Sequence, residues 1–484
     1  MTTRTMPLPD SAFRNLPFMG VIRVNDEAMR NHGYRMGDSS WSNLGQGQPE
    51  VGNIPGAPPR FDALKIDPAD HAYGPVEGLQ ELRTRIAEHY NRLYRDRKSS
   101  HYTIENVAVA SGGRLALSRC ATALSAQRLG YFTPDYTAYE DLLNAFPRIE
   151  PAWIQLHEEH GFRIDPEALR ARVEEDEIDA LLISNPCNPT GVVIEGDDLR
   201  AWLELSRERG MTLLFDEFYS HYVYSPSLRE GGTSVSSVEP GKGVGADAAK
   251  SQRTTHPPAP SLGGRRSARA EHSGPVSAAA FVDDVNEDRV ILFDGLTKCF
   301  RYPGWRIGWV VGPRDVIRTL TAAGSFLDGG PSRPIQRAAI EVLEPGRADQ
   351  ETQAVRAHFA EKQRITVERL AALGVRFPAM GNGKDGRRDA CPTDACPTGT
   401  FYAWGCVEDL PPPLNSGLGF MRSAFQHRVL TVPGEYFDVN PHGMREGESY
   451  LKGYVRFSFG PPRENLVAGL ERLAEMIGTA RQSQ

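Results

Sequence analysis

Short apolar runs alternate along this chain with segments whose apolar residues have helical spacing. The runs over 105–113, 129–134 and 179–186 predict buried strands. Residues 114–127 predict a helix directly after the first run, so that a Ser-Gly-Gly turn lies where a strand meets a helix N-terminus. A strand, a turn and a helix therefore form the recurring unit of the chain.

The same alternation continues further along the chain. Residues 197–210 predict a helix that ends at a glycine, and strands are predicted over 211–219, 289–298 and 306–313. Repeated units of this kind favour an α/β fold with a mostly parallel central sheet and helices on both faces. In such sheets functional groups gather at the carboxyl ends of the strands.

Two segments interrupt the pattern, and they help to divide the chain. Residues 226–276 are rich in Gly, Ser, Pro, Ala and Arg, and residues 379–397 resemble them, so we predict a disordered insertion and a smaller loop insertion. The predicted units are an N-terminal arm that packs with the small domain over 1–60, a large domain over 61–330, and a C-terminal α+β domain over 331–484.

Composition narrows the class of protein. The chain has 484 residues, of which 40% are hydrophobic and 24% charged, and its formal net charge is -7. A mildly acidic chain without a dominant basic block is a poor candidate for binding nucleic acid. No apolar run approaches the ~20 residues that span a bilayer, and the N-terminus lacks the apolar core of a secretory signal. We expect a cytoplasmic protein with no membrane partner.

The cysteines do not predict a disulfide scaffold. There are six in 484 residues, which is sparse for a chain of this length. Cys391 and Cys396 could contribute to a zinc site, but the sequence offers no second pair of ligands nearby. Reduced thiols are the simpler interpretation, and we expect no metal.

The stretch FDGLTKCFRYPGWRIGW, residues 293–309, contains a single lysine, Lys298. It is either a surface lysine at a strand end or a nucleophile, because partial desolvation lowers the pKa of an amine that attacks aldehydes. Thr297 adds a hydroxyl group, and Arg306 adds a planar donor pair suited to phosphate. Arg301 is interpreted as a surface charge.

Three further motifs carry polar groups to predicted strand ends. Asn188 lies in the rigid turn SNPCNPTG, which is either a plain β-turn or a support for an amide that donates to a ligand. Asp216 ends an apolar strand, and Tyr219 follows three residues later. The Asp216 carboxylate is either a helix cap or a partner for a protonated pyridine nitrogen, because a buried carboxylate needs a partner. The turn over 111–113 can bind an anion through backbone N–H groups.

A lysine, a carboxylate for a pyridine nitrogen and a phosphate site are together what pyridoxal phosphate requires. The motifs NPCNPTG, DEFY, TKCFRYPGWRIGW and YVRFSFG, in this order, resemble the class I/II aminotransferases of the fold type I pyridoxal-phosphate enzymes. The resemblance extends from about LGQGQPE to the C-terminal helix, apart from the two insertions. It implies the fold type I architecture, with a large cofactor-binding domain and a smaller α+β domain.

The resemblance implies catalytic roles for Lys298, Asp216 and Tyr219, and a cofactor contact for Asn188. Lys298 corresponds to the internal aldimine lysine, which later moves a proton at the substrate. Asp216 corresponds to the partner of the pyridine nitrogen, and Tyr219 and Asn188 to donors to the 3-oxygen of the ring. Asn188 would also border the bound substrate.

The resemblance also implies a phosphate site, a stacking residue and a substrate site. The phosphate site would comprise Gly112, Gly113, Arg114, Thr297 and Arg306. Tyr136 would stack on the ring, and Tyr73 would reach the phosphate of a neighbouring subunit, which implies a homodimer. Arg456 would bind the substrate α-carboxylate beneath the loop that contains Gly47.

Two positions depart from the family pattern. Gly295 stands where the family often has a serine, so that Thr297 gains importance as a phosphate ligand. Arg114 follows the glycine turn where smaller or uncharged residues are common, and it could contact phosphate, an acidic substrate or solvent.

The preferred function is transamination, in which an α-amino acid gives its amine to the cofactor and a 2-oxo acid accepts it. The alternative is elimination, replacement or cyclisation on the same cofactor, as in the aminocyclopropane-forming relatives that act on S-adenosylmethionine. Phe18, Met19 and Val21 suggest an apolar substrate wall, although they could be plain core. Arg333 is a weaker candidate for a distal carboxylate ligand.

Overall fold

The computed structural model describes residues 16–125, 128–224, 274–377 and 399–483. Most of the predicted insertion over 226–276, and all of the one over 379–397, lies outside the described residues, as do Cys391 and Cys396. Val276, at the C-terminal limit of the first predicted insertion, is buried, and its N–H donates to the Ser220 carbonyl at 3.1 Å.

Twelve strands form in the described residues. They are β1 (Ser42–Asn43), β2 (Val107–Ala110), β3 (Arg128–Thr133), β4 (Glu150–Gln155), β5 (Ala180–Ser184), β6 (Thr212–Asp216), β7 (Val290–Gly295), β8 (Gly308–Val311), β9 (Tyr402–Cys406), β10 (Val429–Leu430), β11 (Val432–Pro433) and β12 (Tyr454–Ser458).

Eleven α-helices surround the strands in the same part of the chain. They are α1 (Gly20–His32), α2 (Gln80–Tyr94), α3 (Gly113–Ala123), α4 (Ala138–Ala145), α5 (Pro166–Glu175), α6 (Gly196–Arg209), α7 (Arg314–Leu327), α8 (Arg333–Val342), α9 (Pro345–Ala372), α10 (Gly417–Gln426) and α11 (Arg463–Gln482). None of the described helices is both long enough and apolar enough to cross a bilayer.

Seven strands form the main sheet, in the order β2-β8-β7-β6-β5-β3-β4. Every neighbouring pair is parallel except the two that involve β8, which runs antiparallel to β2 and β7. The prediction of a mostly parallel sheet in an α/β fold is therefore confirmed.

The central strands are buried on both faces, which explains why their sequences are continuous apolar runs. In β5 the side chains of Leu181 and Ile183 join one core cluster, whereas Leu182 joins another. The same alternation separates Leu213 from Leu214 in β6. Because successive side chains of a strand point to opposite faces of the sheet, alternate residues enter two cores, one on each face.

Two small sheets connect distant parts of the chain. Strands β9, β11 and β12 form an antiparallel sheet in the order β11-β12-β9. Strand β1 pairs in parallel with β10, with Ser42 opposite Val429, so the segment after α1 packs with the C-terminal part of the chain. This pairing is compatible with the predicted N-terminal arm, and the three domain boundaries stay a prediction.

The carboxyl ends of the central strands bring the polar motifs together. Ser184 at the end of β5 lies in register with Asp216 at the end of β6, and Asp216 with Phe293 in β7. Lys298 follows β7 after a short turn. Sheet register therefore assembles residues that are more than 100 positions apart in the sequence.

Candidate active site

A cavity with a volume of about 840 Å³ lies at this edge of the main sheet. All but two of the predicted site residues line it; the lining residues among them are Gly47, Gly113, Arg114, Tyr136, Asn188, Asp216, Tyr219, Thr297, Lys298, Arg306 and Arg456. The exceptions are Gly112, which lies directly beneath Arg306, and Tyr73.

Lys298 projects into the cavity, where its Nζ donates to the carbonyl oxygen of Gly47. Burial lowers the pKa of this amine to about 7, and the positive charges of Arg456, Arg114 and Arg306 lower it in the same direction. A substantial share of this lysine is therefore neutral near neutral pH, as a nucleophile requires.

Asp216 is buried at the end of β6, and both of its carboxyl oxygens accept hydrogen bonds. The hydroxyl of Tyr139 donates to Oδ2 at 2.8 Å, and the N–H of Phe218 donates to Oδ1 at 3.4 Å. Burial raises the pKa of Asp216 to about 6, although both hydrogen bonds act against the rise. The carboxyl group caps no helix, because a turn follows it, and it is suited to a cationic partner in the cavity.

Backbone shape fixes the turn at the start of α3. Gly112 has a φ of 93°, and a Cβ there would overlap the guanidinium of Arg306. A Cβ on Gly113 would overlap the ring of Phe218. Both positions therefore require glycine, and the first N–H groups of α3 are left without partners inside the helix.

The same corner contains further donors that a bound anion could satisfy. The Oγ1 atom of Thr297 is buried without a hydrogen-bond partner in the described residues. Arg306 has a φ of 53° and lines the cavity beside the Gly112 turn. A hydroxyl group, a guanidinium and helix N–H groups in one corner match the chemistry of a phosphate group.

Arg114 and Tyr136 contact each other on the adjacent side of the cavity. The Arg114 Nη2 atom donates to the Tyr136 hydroxyl at 3.0 Å, and its Nε atom donates at 3.3 Å. Tyr136 also packs edge-on against Tyr139, with 5.5 Å between the ring centroids. Arg114 therefore supports the tyrosine that the sequence predicted to stack on the cofactor.

Arg456 on β12 is 2% exposed and makes two hydrogen bonds through its terminal nitrogens. Its Nη1 donates to Asn188 Oδ1 and its Nη2 to the Gly45 carbonyl, both at 2.8 Å. The guanidinium lies 3.9 Å from the centroid of the Tyr402 ring. This fixed orientation suits a planar carboxylate, and Asn188 keeps its NH₂ group as a donor.

Two tyrosines at the site, Tyr402 and Tyr139, were not predicted from the sequence. The hydroxyls of Tyr402 and Tyr219 lie 2.9 Å apart, although the residues are 183 positions apart in the chain. Tyr402 is in β9, outside every recognised motif, so only the pairing of β9 with β12 brings it to the site. Tyr139 could have been found, because it lies three residues after Tyr136 in the same motif.

Three predicted residues lie elsewhere. Tyr73 is fully exposed at 100% and does not line the cavity, so its contact with a neighbouring subunit stays a prediction. Arg333 lies 3.8 Å from Asp70 and does not line the cavity, so the chain gives no support for it as a distal carboxylate ligand. Phe18 is exposed, whereas Met19 and Val21 line the cavity as predicted.

Two other expectations are corrected or explained. Arg301 is not a surface charge: its side chain is 0% exposed, and its Nε lies 2.6 Å from a carboxyl oxygen of Glu351. At Gly295 a Cβ would lie 2.5 Å from the Ile307 carbonyl oxygen and 2.7 Å from Gly308 Cα. The antiparallel strand β8 therefore leaves no room for the serine that the family often has there.

Comparison with known proteins assigns the chain to a family. The family model for aminotransferase class I and II matches residues 39–384. The aspartate aminotransferase of Pyrococcus horikoshii is 23% identical over 415 residues, covering 84% of this chain and 83% of the relative. The aspartate/prephenate aminotransferase of Thermus thermophilus is 25% identical over 411 residues, covering 84% of each.

Solved structures show the same fold. The aspartate aminotransferase from Thermus thermophilus with maleate has a TM-score of 0.67 at 22% identity, covering 95% of this chain and 97% of that one. An aminotransferase from Mycobacterium tuberculosis has a TM-score of 0.67 at 19% identity, covering 96% and 98%.

Proposed function

Because the chain belongs to the class I and II aminotransferase family, we propose that it moves an amino group between an α-amino acid and a 2-oxo acid with pyridoxal phosphate bound at Lys298. The observation that carries the proposal is the convergence of Lys298, Asp216, Arg306 and Arg456 on one cavity. Members of this family are generally dependent on pyridoxal phosphate.

The residues present fit that cofactor. Thr297 Oγ1, which is buried and has no partner among the described residues, and Arg306 supply donors for its phosphate, together with the N-terminus of α3. Asp216 supplies a buried carboxylate for the ring nitrogen, and Tyr219 and Asn188 supply donors for the ring oxygen. When bound, the cofactor supplies an aldehyde that bonds to amines and a ring that accepts electrons.

Arg456 and Lys298 are the residues that would orient the substrate and act on it. Arg456 holds the α-carboxylate as a bidentate pair, since its own contacts with Asn188 and the Gly45 carbonyl fix the guanidinium plane. Lys298 would take the proton from the substrate Cα and pass it to the carbon that carried the cofactor's aldehyde, a task for which a pKa of about 7 is well matched. The Gly47 carbonyl accepts a hydrogen bond from Lys298 Nζ and restrains it.

The cavity wall near α1 supports an apolar substrate side chain. Met19, Val21 and Ile22 line the cavity at the start of α1, and Tyr34 and Trp41 line it further along the chain. Burying apolar surface against this wall is favourable, whereas a carboxylate there would lose its hydration. Although the relatives from Pyrococcus horikoshii and Thermus thermophilus are named as aspartate or aspartate/prephenate aminotransferases, we infer an amino acid with a large apolar or aromatic side chain for this chain.

Tyr73 supports a homodimer. Its side chain is 100% exposed, which is unusual for a large aromatic residue. In the proposed dimer it donates to the phosphate bound in the partner subunit. Light scattering should give twice the chain mass, and Tyr73→Phe should weaken cofactor retention in the dimer without changing its mass.

The two half-reactions test the function directly. Purified protein loaded with pyridoxal phosphate should convert phenylalanine or leucine to the 2-oxo acid and accumulate the pyridoxamine form, and an added 2-oxo acid should reverse the change. Release of ammonia or of a cyclic amino acid, without the pyridoxamine form, would instead establish elimination or cyclisation. Borohydride reduction followed by peptide mass spectrometry should locate the cofactor on Lys298.

A further inference from the structure

Arg301 lies three residues after Lys298 and forms a buried ion pair. Its Nε and Nη2 atoms donate to the two carboxylate oxygens of Glu351 in α9, at 2.6 and 3.3 Å. The side chains are 0% and 4% exposed, so the pair is shielded from solvent. Arg60 Nη1 lies 3.6 Å from the Glu351 oxygen that accepts from Arg301 Nε, and removal of Glu351 alone would leave the buried Arg301 without a carboxylate.

The third nitrogen of Arg301 reaches a different segment. Nη1 donates to the carbonyl oxygen of Glu50 at 2.9 Å and to that of Gly52 at 2.6 Å. The Arg301 backbone has a φ of 58°, a conformation that residues other than glycine adopt at some cost. The surrounding contacts hold this strained backbone in place, and they join the Lys298 segment to residues 45–52, hereafter the carbonyl loop.

The carbonyl loop is also anchored through the Glu50 side chain. Its Oε2 lies 2.9 Å from His358 Nε2 and 3.0 Å from Lys362 Nζ, both in α9. Burial would raise the pKa of Glu50, but the hydrogen bond from His358 and the charge of Lys362 lower it to about 2. Glu50 is therefore a carboxylate throughout the neutral range, and the loop is tied to α9 at two points.

The same loop supplies both backbone acceptors of the candidate site. The Gly45 carbonyl accepts from Arg456 Nη2, and the Gly47 carbonyl accepts from Lys298 Nζ. A displacement of the loop would therefore alter the amine and the carboxylate-binding guanidinium together. A shift of about 1 Å at a reacting group can lower a rate by about 100-fold.

We propose that Arg301 and Glu351 are positioning residues that hold the carbonyl loop in register with Lys298 and Arg456. The proposal rests on the proposed function, since it assigns an effect on the substrate carboxylate and on the lysine amine. Neither side chain lines the cavity, so both act through Gly45 and Gly47 and not through contact with the substrate.

The test compares two ion pairs on the same helix. The brace variant is Arg301→Met/Glu351→Met, which removes both members of the pair, so that neither is left buried without the other. Arg60, which also lies 3.6 Å from Glu351, keeps its contact with the Tyr302 ring and its hydrogen bond to the Arg301 carbonyl. The control is Arg92→Met/Asp349→Met, which removes an exposed bidentate pair with distances of 2.9 and 2.8 Å. Asp349 lies two residues before Glu351 in α9, so the control reports any general effect of charge removal on this helix.

Each holoenzyme is assayed for melting temperature, kcat, KM for the amino acid, and the pH midpoint of the absorbance of the lysine-bound cofactor. The brace variant should lose about 10- to 100-fold in kcat/KM, mainly through KM, and should shift the midpoint. The control should match the wild type in all four measurements. Arg301→Lys is a second variant, for the case that the double variant does not fold. It keeps the positive charge opposite Glu351, but its single ammonium group cannot reach both backbone carbonyls, so the folded protein should show the same changes in KM and pH midpoint.

Brace variants that keep the wild-type KM and pH midpoint would overturn the proposal, whether or not their melting temperature falls, because the pair would then be structural. A different result would count against the proposed function itself: wild-type protein whose cofactor is not attached at Lys298, or which transfers no amino group. The two failures are therefore separable in one set of experiments.

Discussion

The candidate site has two walls of different character. The wall formed by strand ends carries buried polar groups with defined partners, such as Asp216 with Tyr139 and Arg456 with Asn188. The wall formed by the start of α1 is mainly apolar, with Asn25 as its polar member, and it is more open, with Ile22 at 47% exposure against 2% for Arg456. From this difference we propose that the sheet fixes the reaction, while the N-terminal segment adjusts which side chain fits.

The first prediction removes the central group of the polar wall. Lys298→Ala should abolish covalent attachment of the cofactor and lower transamination by at least about 10³-fold, because both the nucleophile and the proton carrier are lost. Mass spectrometry after borohydride reduction and a single-turnover assay measure the two effects. A reduced adduct on any other lysine, with activity retained, would refute the assignment.

The second prediction concerns the buried carboxyl of the same wall. Asp216→Asn should lower kcat by about 10²- to 10³-fold, since a neutral amide removes the negative charge that would pair with the ring nitrogen in the proposed function. Tyr139→Phe keeps that charge and deletes one hydrogen bond, so it should cost only about 10-fold. Single-turnover rates measure both, and equal losses in the two variants would contradict the role of the charge.

The third prediction tests the substrate carboxylate. Arg456→Lys should raise KM and lower kcat/KM by about 10- to 100-fold, because an ammonium group cannot form the bidentate pair. Steady-state kinetics with one amino acid measure the change. The corresponding primary amine, which lacks the carboxylate, should react equally with both proteins, and a preserved difference would place Arg456 elsewhere in the mechanism.

The fourth prediction follows from the pKa of Lys298, which is about 7 in the cofactor-free protein. Only the neutral amine attacks an aldehyde, so the rate of cofactor capture should rise with pH, reach half its maximum at about pH 7, and level off above it. Arg456→Met should move the profile to higher pH, because burial and the Arg456 charge both lower this pKa. A profile still rising at pH 9 would mean an ordinary lysine.

Sequence patterns located most residues of the polar wall because their motifs follow the ends of regular strands; Arg456, in the middle of β12, is the exception. The turn at Gly112 and the lysine after β7 could be located by alternation alone, since parallel strands bring their carboxyl ends to one edge. The roles themselves came from family resemblance. Tyr402 was missed because only the pairing of two distant strands brings it close to Tyr219.

Arg301 shows why charge is a poor guide to exposure. An arginine in a polar, glycine-containing stretch is normally at the surface, yet Arg301 is 0% exposed because Glu351 and two backbone carbonyls compensate it. Its partners are about 50 and 250 positions away in the chain. Local patterning contains no information on contacts at that separation, so the burial could not be predicted.

The apolar wall gives the smallest effect and the clearest contrast with the polar one. Val21→Ala should lower kcat/KM for leucine or phenylalanine by about 10-fold, and leave alanine unchanged, because it removes contact surface that only a large side chain reaches. Met29→Ala is the matched control: Met29 is in the same helix and 42% exposed, but does not line the cavity. Kinetics with the three amino acids measure the selectivity. Equal losses for alanine and leucine would show that α1 affects the reaction itself. The proposal that the two walls have separate roles, one in the reaction and one in substrate choice, would then be refuted.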